Sequence, residues 1–338
     1  MADIADASPI QPAHAMRVAF AAPADRSGAL ARLRFADALF ERATFGAAAL
    51  VPLVMSGILV ALVVGAWPAL AKFGAGFLFN QVWNPVTDNF GGAAAIWGTI
   101  VTAALAMALA GPIGLGIAIF LTELCPYSLR RPIGTAIELL AGIPSIIYGI
   151  WGLFVLVPLV QAYVQPALIA TLGRVPLAGA LFAGPPYGIG VLSAAFVLAI
   201  MVLPFVAAVA RDVFEAAPPL LKEAAYGIGC TRWEVMYRVV LPFSRVGVAG
   251  GMILGLGRAL GETMAVTFVI GNAHRISASL LAPGTSISAT IANEFTEATT
   301  DMYRAALFEL GLILFAITFV ALAAARWMLS RAGGRVRA

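Results

Sequence analysis

The sequence predicts an all-α, polytopic membrane protein of about six transmembrane helices with both termini on the cytoplasmic side. Three observations carry that expectation. Of the 338 residues, 61% are hydrophobic and only 11% are charged, against the roughly 25% charged share of a soluble globular domain. The apolar residues gather in runs of the roughly 20 residues that a helix needs to cross a bilayer core. The basic residues sit at the ends of those runs and fall overwhelmingly on one side.

Taken in order, residues 1–45 read as a cytoplasmic leader. Pro9, Pro12 and Pro23 oppose regular structure at its start. No compact apolar segment with a small-residue cleavage site appears, so no cleaved signal peptide is expected. Residues 28–45 read as an amphipathic helix on the membrane surface, apolar at Leu30, Leu33, Phe35, Leu39 and Phe40; a leader with no specific role is the plainer alternative. The membrane domain, 46–330, holds six spans near 47–71, 94–121, 134–161, 187–210, 246–270 and 305–328. Gly111, Gly114 and Gly116 allow close helix packing in lipid. Pro112, Pro144 and Pro204 are expected to kink or break their spans. A basic tail, 331–338, closes the chain.

Placing the N-terminus inside puts 16 of the 21 Lys and Arg residues on the leader, the second and fourth connections and the tail. The outer side then holds Lys72, Arg174, Arg275 and Arg304, and Arg258 falls within a span. The net charge of +4 is explained by this topology. The basic residues form no stripe with interleaved aromatics, so the expected partner is the lipid bilayer and not nucleic acid. Cys125 and Cys230 stand 105 positions apart, and His14 and His274 are equally isolated in sequence. Neither a disulfide framework nor a metal site is expected.

The fourth connection, 211–245, is the one substantial cytoplasmic loop between spans. After Pro218 and Pro219 a helix is expected to run to about Tyr226 and end at Gly227 and Gly229. Thr231 as N-cap with Glu234 three residues on predicts a capping box at the start of a second helix, expected to end near Pro242.

This loop resembles the EAA loop of ABC importer permeases. Glu223-Ala224-Ala225, then Gly229, Val239 and Leu241-Pro242 have that loop's spacing, with valine at a position usually occupied by isoleucine. The resemblance implies that Glu223, Ala224 and Ala225 form a helix docking into a cytoplasmic ATPase, with Gly229 as its turn and Leu241-Pro242 as the return to the membrane. A segment of span five, Gly257 to Val266 (GRALGETMAV), resembles PstC-type permeases of bacterial phosphate importers. Residues 138–149 (ELLAGIPSIIYG) and Ala292-Asn293-Glu294-Phe295 resemble the same family. It implies a type I importer fold, a PstA-like permease as heterodimer partner, two PstB-like ATPase subunits, a periplasmic phosphate-binding protein, and residence in the bacterial inner membrane. No cofactor is expected on this chain, ATP and Mg being on the ATPase, and the chain is expected to be a transport subunit and not an enzyme.

The chemistry of span five agrees. A charged residue near the bilayer midplane costs at least about 2.5 kcal/mol and persists when it faces a cavity or a partner. Arg258 is so placed, and Glu262 follows at i+4. In one reading the two neutralise each other and hold the packing. In the other they line the translocation path of inorganic phosphate, the guanidinium offering planar donors to two of its oxygens. The glycines around Arg258 fit a flexing gate and close packing equally. Glu138 and Glu309 read as helix-end carboxylates. Glu294, Glu297 and Asp301 read either as an acidic outer loop that a binding protein contacts or as a solvated one; Trp67, Trp97 and Trp327 read as interfacial anchors. Alternatives are a permease for sulfate, molybdate or phosphonate, a membrane enzyme, for which no nucleophile–base constellation is visible, and a passive anion channel, which needs no such loop.

Overall fold

The structure, a computed structural model, describes residues 27–176 and 179–333. The prolines of the leader and Arg335 and Arg337 of the tail lie outside the described residues, as do the side chains of Leu30 and Leu33. The chain divides into two units, residues 1–58 and 59–338. Within the described residues the regular structure is helical: α1 (Ser27–Phe73), α2 (Ala93–Leu124), α3 (Tyr127–Ala141), α4 (Ser145–Arg174), α5 (Val191–Glu215), α6 (Pro219–Gly227), α7 (Arg232–Leu260), α8 (Met264–Ile270), α9 (Ile287–Glu294) and α10 (Asp301–Gly333). Six of these, α1, α2, α4, α5, α7 and α10, are long and apolar enough to cross a membrane.

In the first unit, α1 carries Phe35, Leu39, Phe40 and Phe45, all exposed. The expected surface helix and first span are one uninterrupted helix, because 28–46 holds no proline and its one interior glycine, Gly46, lies in open space.

The second unit is organised around α5, the most buried of the six. One face of α7 meets it through three glycines one turn apart. A Cβ on Gly247, Gly251 or Gly255 would lie 2.5 Å, 2.7 Å or 3.0 Å from a methyl of Val213, Val209 or Val206. A side chain on Gly247 or Gly251 would displace its valine and one on Gly255 would crowd it, so these glycines serve close packing. Three apolar clusters follow the bundle lengthwise. The middle one centres on Val197, Leu198, Met201 and Val202 of α5. One end gathers Phe77, Phe90, Ile287, Tyr303 and Leu307. The other, where α2 and α5 finish and α7 starts, gathers Phe214, Ala225, Val235 and Val240.

Two spans differ from expectation. Residues 134–141 belong to α3, and the third span begins at Ser145. Pro144 lacks an N–H and disfavours the helical region for the residue before it, and here, following Gly142, the helix ends and the chain restarts after the proline. The fifth span ends at Leu260, and 264–270 form the separate α8. At its other end it does not stop near Pro242. It runs unbroken from Arg232, with a π turn at Met236–Val240 just before the proline. Widening the ladder there accommodates the donor that Pro242 cannot supply. Pro112 and Pro204 likewise sit inside unbroken helices.

Candidate functional site

At the end where α7 starts, α6 and the first turn of α7 form the expected helix pair. Gly229 adopts φ +91°, and the Cys230 N–H donates to the Ala225 carbonyl at 3.1 Å, closing the end of α6. Thr231 and Glu234 form the capping box: the Glu234 N–H donates to Thr231 Oγ1 at 3.3 Å, and the Thr231 N–H donates to Glu234 Oε2 at 2.9 Å. Ala225 is buried in the end cluster, while Glu223 and Ala224 face outward. Lys222 ties α6 to the last turn of α2 through Glu123 at 2.6 Å. Around Glu223 the free surface carries Leu220, Ile228, Trp233 and Tyr237, each more than 60% exposed. Leu220 stands on α6, Ile228 just past its end, and Trp233 and Tyr237 on the first turns of α7, so the joint between the two helices carries an exposed apolar and aromatic patch of the kind found at protein contacts. Leu241 and Pro242 lie within α7 and not at a break.

Arg258 occupies the last turn of α7 and is exposed, one turn beyond exposed Leu254. The i+4 pairing with Glu262 does not form: Glu262 falls past the helix end, and its carboxylate accepts from the Ala265 N–H at 3.2 Å, capping α8. No carboxylate oxygen of the described residues lies within 4.0 Å of the Arg258 guanidinium. Seven residues after Gly251 and three after Gly255, Arg258 lies on the same side of α7 as the glycine seam but past its last contact, exposed and with no carboxylate partner among the described residues.

The opposite end holds a polar constellation that sequence reasoning missed. Glu294 is not a solvated loop residue, and His274 is not isolated. His274 Nε2 and Glu294 Oε1 are 2.8 Å apart, Tyr303 donates its hydroxyl to Glu294 Oε2 at 2.8 Å, and the Trp83 indole N–H donates to the same oxygen. His274 stacks on the Trp83 ring at 5.2 Å. Burial alone raises the Glu294 carboxyl; the hydrogen bonds from His274, Tyr303 and Trp83 and the charge of His274 outweigh it and hold the group below the ordinary carboxylate range. Nothing local signals the cluster, since its members come from four separate segments.

Of the two carboxylates expected at helix ends, Glu138 does stand in the last turn of α3, half exposed, whereas Glu309 departs from expectation. Glu138 pairs with Arg211 at 2.7 Å, joining α3 to α5. Glu309 is no helix-end residue reaching an interface. Only 2% exposed, it lies on the wall of an apolar groove of about 770 Å³ with Leu70, Ile100, Leu256 and Leu260, and its Oε2 has no hydrogen-bond partner.

A family profile described as a binding-protein-dependent transport system inner membrane component matches residues 112–333. A Mesorhizobium japonicum protein named phosphate transport system permease protein PstC is 59% identical over 313 residues, 93% of this chain and 96% of the relative. A Pasteurella multocida protein of the same name is 55% identical, over 87% of this chain and 92% of the relative. A Methanocaldococcus jannaschii protein named probable phosphate transport system permease protein PstC is 39% identical, over 78% and 85%. Among solved structures, a chain of a bacterial alginate ABC transporter in complex with an alginate pentasaccharide-bound periplasmic protein gives a TM-score of 0.55 at 17% identity, covering 86% of this chain and 96% of that one. A chain of the inward-facing MetNI methionine ABC transporter gives 0.52 at 16%, covering 70% and 94%. At these identities the two structures speak to the fold, which is that of ABC importer permeases. This multi-pass membrane protein belongs to the family of binding-protein-dependent transport system inner membrane components and, within it, to the PstC permeases.

Proposed function

We propose that this chain is the membrane-spanning permease of an ATP-driven importer that moves inorganic phosphate from periplasm to cytoplasm across the bacterial inner membrane. The observation that carries the reading is the 59% identity, over 93% of the chain, to a phosphate permease. It works as a transport subunit. A PstA-like permease completes the path, two PstB-like ATPase subunits hold ATP and Mg, and a periplasmic phosphate-binding protein delivers the anion. The loop end then faces the cytoplasm, in keeping with the excess of Lys and Arg there.

In mechanism, Glu223, Ala224 and Ala225 on α6 seat in the ATPase, and the capping box transmits its movement into α7. Arg258 lines the path and stabilises the anion through charge-assisted hydrogen bonds, which a low-dielectric surrounding strengthens. Glu262, placed just past the helix end, limits how tightly that anion is held.

The test is uptake of labelled phosphate by the assembled complex, native against Arg258→Gln. Loss of uptake in a variant that still assembles and hydrolyses ATP places Arg258 on the path. Normal uptake in the variant overturns that role while leaving the permease reading intact. A native complex that moves sulfate, molybdate or phosphonate but no phosphate overturns the substrate.

A further inference from the structure

At the end of the bundle opposite the loop, residues 271–286 fold back between the starts of α2 and α5. The segment is stitched in place by backbone hydrogen bonds: Ala273 N–H to the Gly284 carbonyl at 2.9 Å, Gly284 N–H to Ile270 at 3.0 Å, and Leu280 N–H to Leu181 at 2.9 Å. His274, clamped by Glu294 and Trp83, fixes the residue next to Arg275.

Arg275 faces a cavity of about 380 Å³ that it lines with Gly184, Tyr187, Ser277 and Ser279. No acidic side chain lines this cavity, and no carboxylate of the described residues lies within 4.0 Å of the guanidinium. Ser277 Oγ accepts from the Ser279 N–H at 3.1 Å and gives its own proton to no group among the described residues; the Tyr187 hydroxyl is equally uncommitted. Ser279, by contrast, spends its hydroxyl on the Ala183 carbonyl at 2.6 Å. A narrow crevice of about 10 Å³ continues from the cavity past Arg275 to Gly98 and Thr285, with room for about one water molecule. The arginine-containing groove at the loop end differs in kind. There Glu138 and Glu215 already occupy Arg211, at 2.7 Å and 3.9 Å.

We propose that Arg275, Ser277 and Tyr187 form an outer receiving site for a tetrahedral oxyanion, separate from Arg258. The proposal deepens the phosphate reading and rests on it for the identity of the anion. The cavity supplies one positive charge on its wall, two hydroxyl donors uncommitted among the described residues and no competing carboxylate, which is the donor set a phosphate needs. It closes inward at the crevice, so the anion is held at the mouth until the bundle rearranges.

The experiment uses the assembled transporter in nanodiscs, with Ile276→Cys as a reporter on the cavity wall. Labelling by an anionic methanethiosulfonate is measured over the background of the parent complex. Inorganic phosphate is expected to slow labelling, while chloride at equal ionic strength does not. Arg275→Gln is expected to abolish that protection and reduce phosphate uptake about tenfold, the worth of one charge-assisted contact, with Arg275→Lys retaining part of both. Docking of the binding protein, measured separately, is expected to keep its affinity in Arg275→Gln. If a native complex that imports phosphate shows no phosphate protection, the site is overturned. It is also overturned if Arg275→Gln weakens only the docking and leaves protection intact, because the arginine then contacts the partner protein. If sulfate both protects and is transported where phosphate does neither, the oxyanion site stands and the phosphate reading falls.

Discussion

His274 and Glu294, 20 positions apart, meet at 2.8 Å beneath the Trp83 ring, and Tyr303 closes the cluster from α10. One carboxylate thus joins three other segments of the chain. Glu294→Gln keeps the shape but loses the charge-assisted bonds, and is expected to lower the melting temperature of the complex by about 3–6 °C. The acid side of the stability profile should change as well. A carboxyl depressed in the folded state stabilises at pH values above its unfolded pKa, about 4.3, and that contribution is lost as pH falls through the lower folded value. The native complex should therefore lose stability on acidification below about pH 4.5 more steeply than Glu294→Gln; equal slopes would remove the carboxylate from the account.

The loop joint gives a second expectation. Thr231→Ala removes the capping box at a cost of about 1 kcal/mol, and Gly229→Ala strains a backbone at φ +91° by a similar amount. Both variants are expected to assemble and hydrolyse ATP while importing fewer phosphate ions per ATP. An unchanged ratio would mean that the joint need not be stiff.

Glycine placement makes a third, contrasting pair. A Cβ on Gly98 would lie 1.8 Å from the Thr285 carbonyl oxygen, whereas Gly250 has nothing within 4 Å. Gly98→Ala should cost about 1–3 kcal/mol or more by overpacking, with reduced yield of folded complex. Gly250→Ala should be neutral or slightly stabilising. Thermal melts of the two variants side by side check this.

Glu309 gives the fourth. A buried carboxyl with an unpartnered oxygen costs free energy that leucine does not. Glu309→Leu is expected to raise the melting temperature by about 2–4 °C. A fall instead would show that the assembled complex supplies Glu309 with a donor.

What the sequence disclosed depended on the range of the interaction. The spans follow from uninterrupted apolar length, and the capping box from residues three apart, so both were readable locally. The third and fifth spans end elsewhere than their apolar length suggests because the short breaks at Gly142–Pro144 and Gly261–Thr263 are flanked on both sides by apolar residues, and backbone geometry ends the helices there. The Arg258–Glu262 pairing failed for the same reason: i+4 proximity holds only while the helix does. Trp83, His274, Glu294 and Tyr303 carry no mutual spacing rule, and Glu309 looks like any carboxylate near a helix start until the groove around it is seen.

The unbroken course of α7 has a mechanical consequence. At about 1.5 Å per residue, Thr231 stands about 30 Å from Gly251 and Arg258 about 10 Å beyond it on the other side. A rod rocking on the glycine–valine contacts works as an unequal lever, with the long arm toward the loop and the short arm toward the arginine. A stroke of about 3 Å at the loop would then arrive at Arg258 as about 1 Å, with the force multiplied in the same ratio. That trade suits moving a charge in a low-dielectric setting, where the distance is small and the resistance is high.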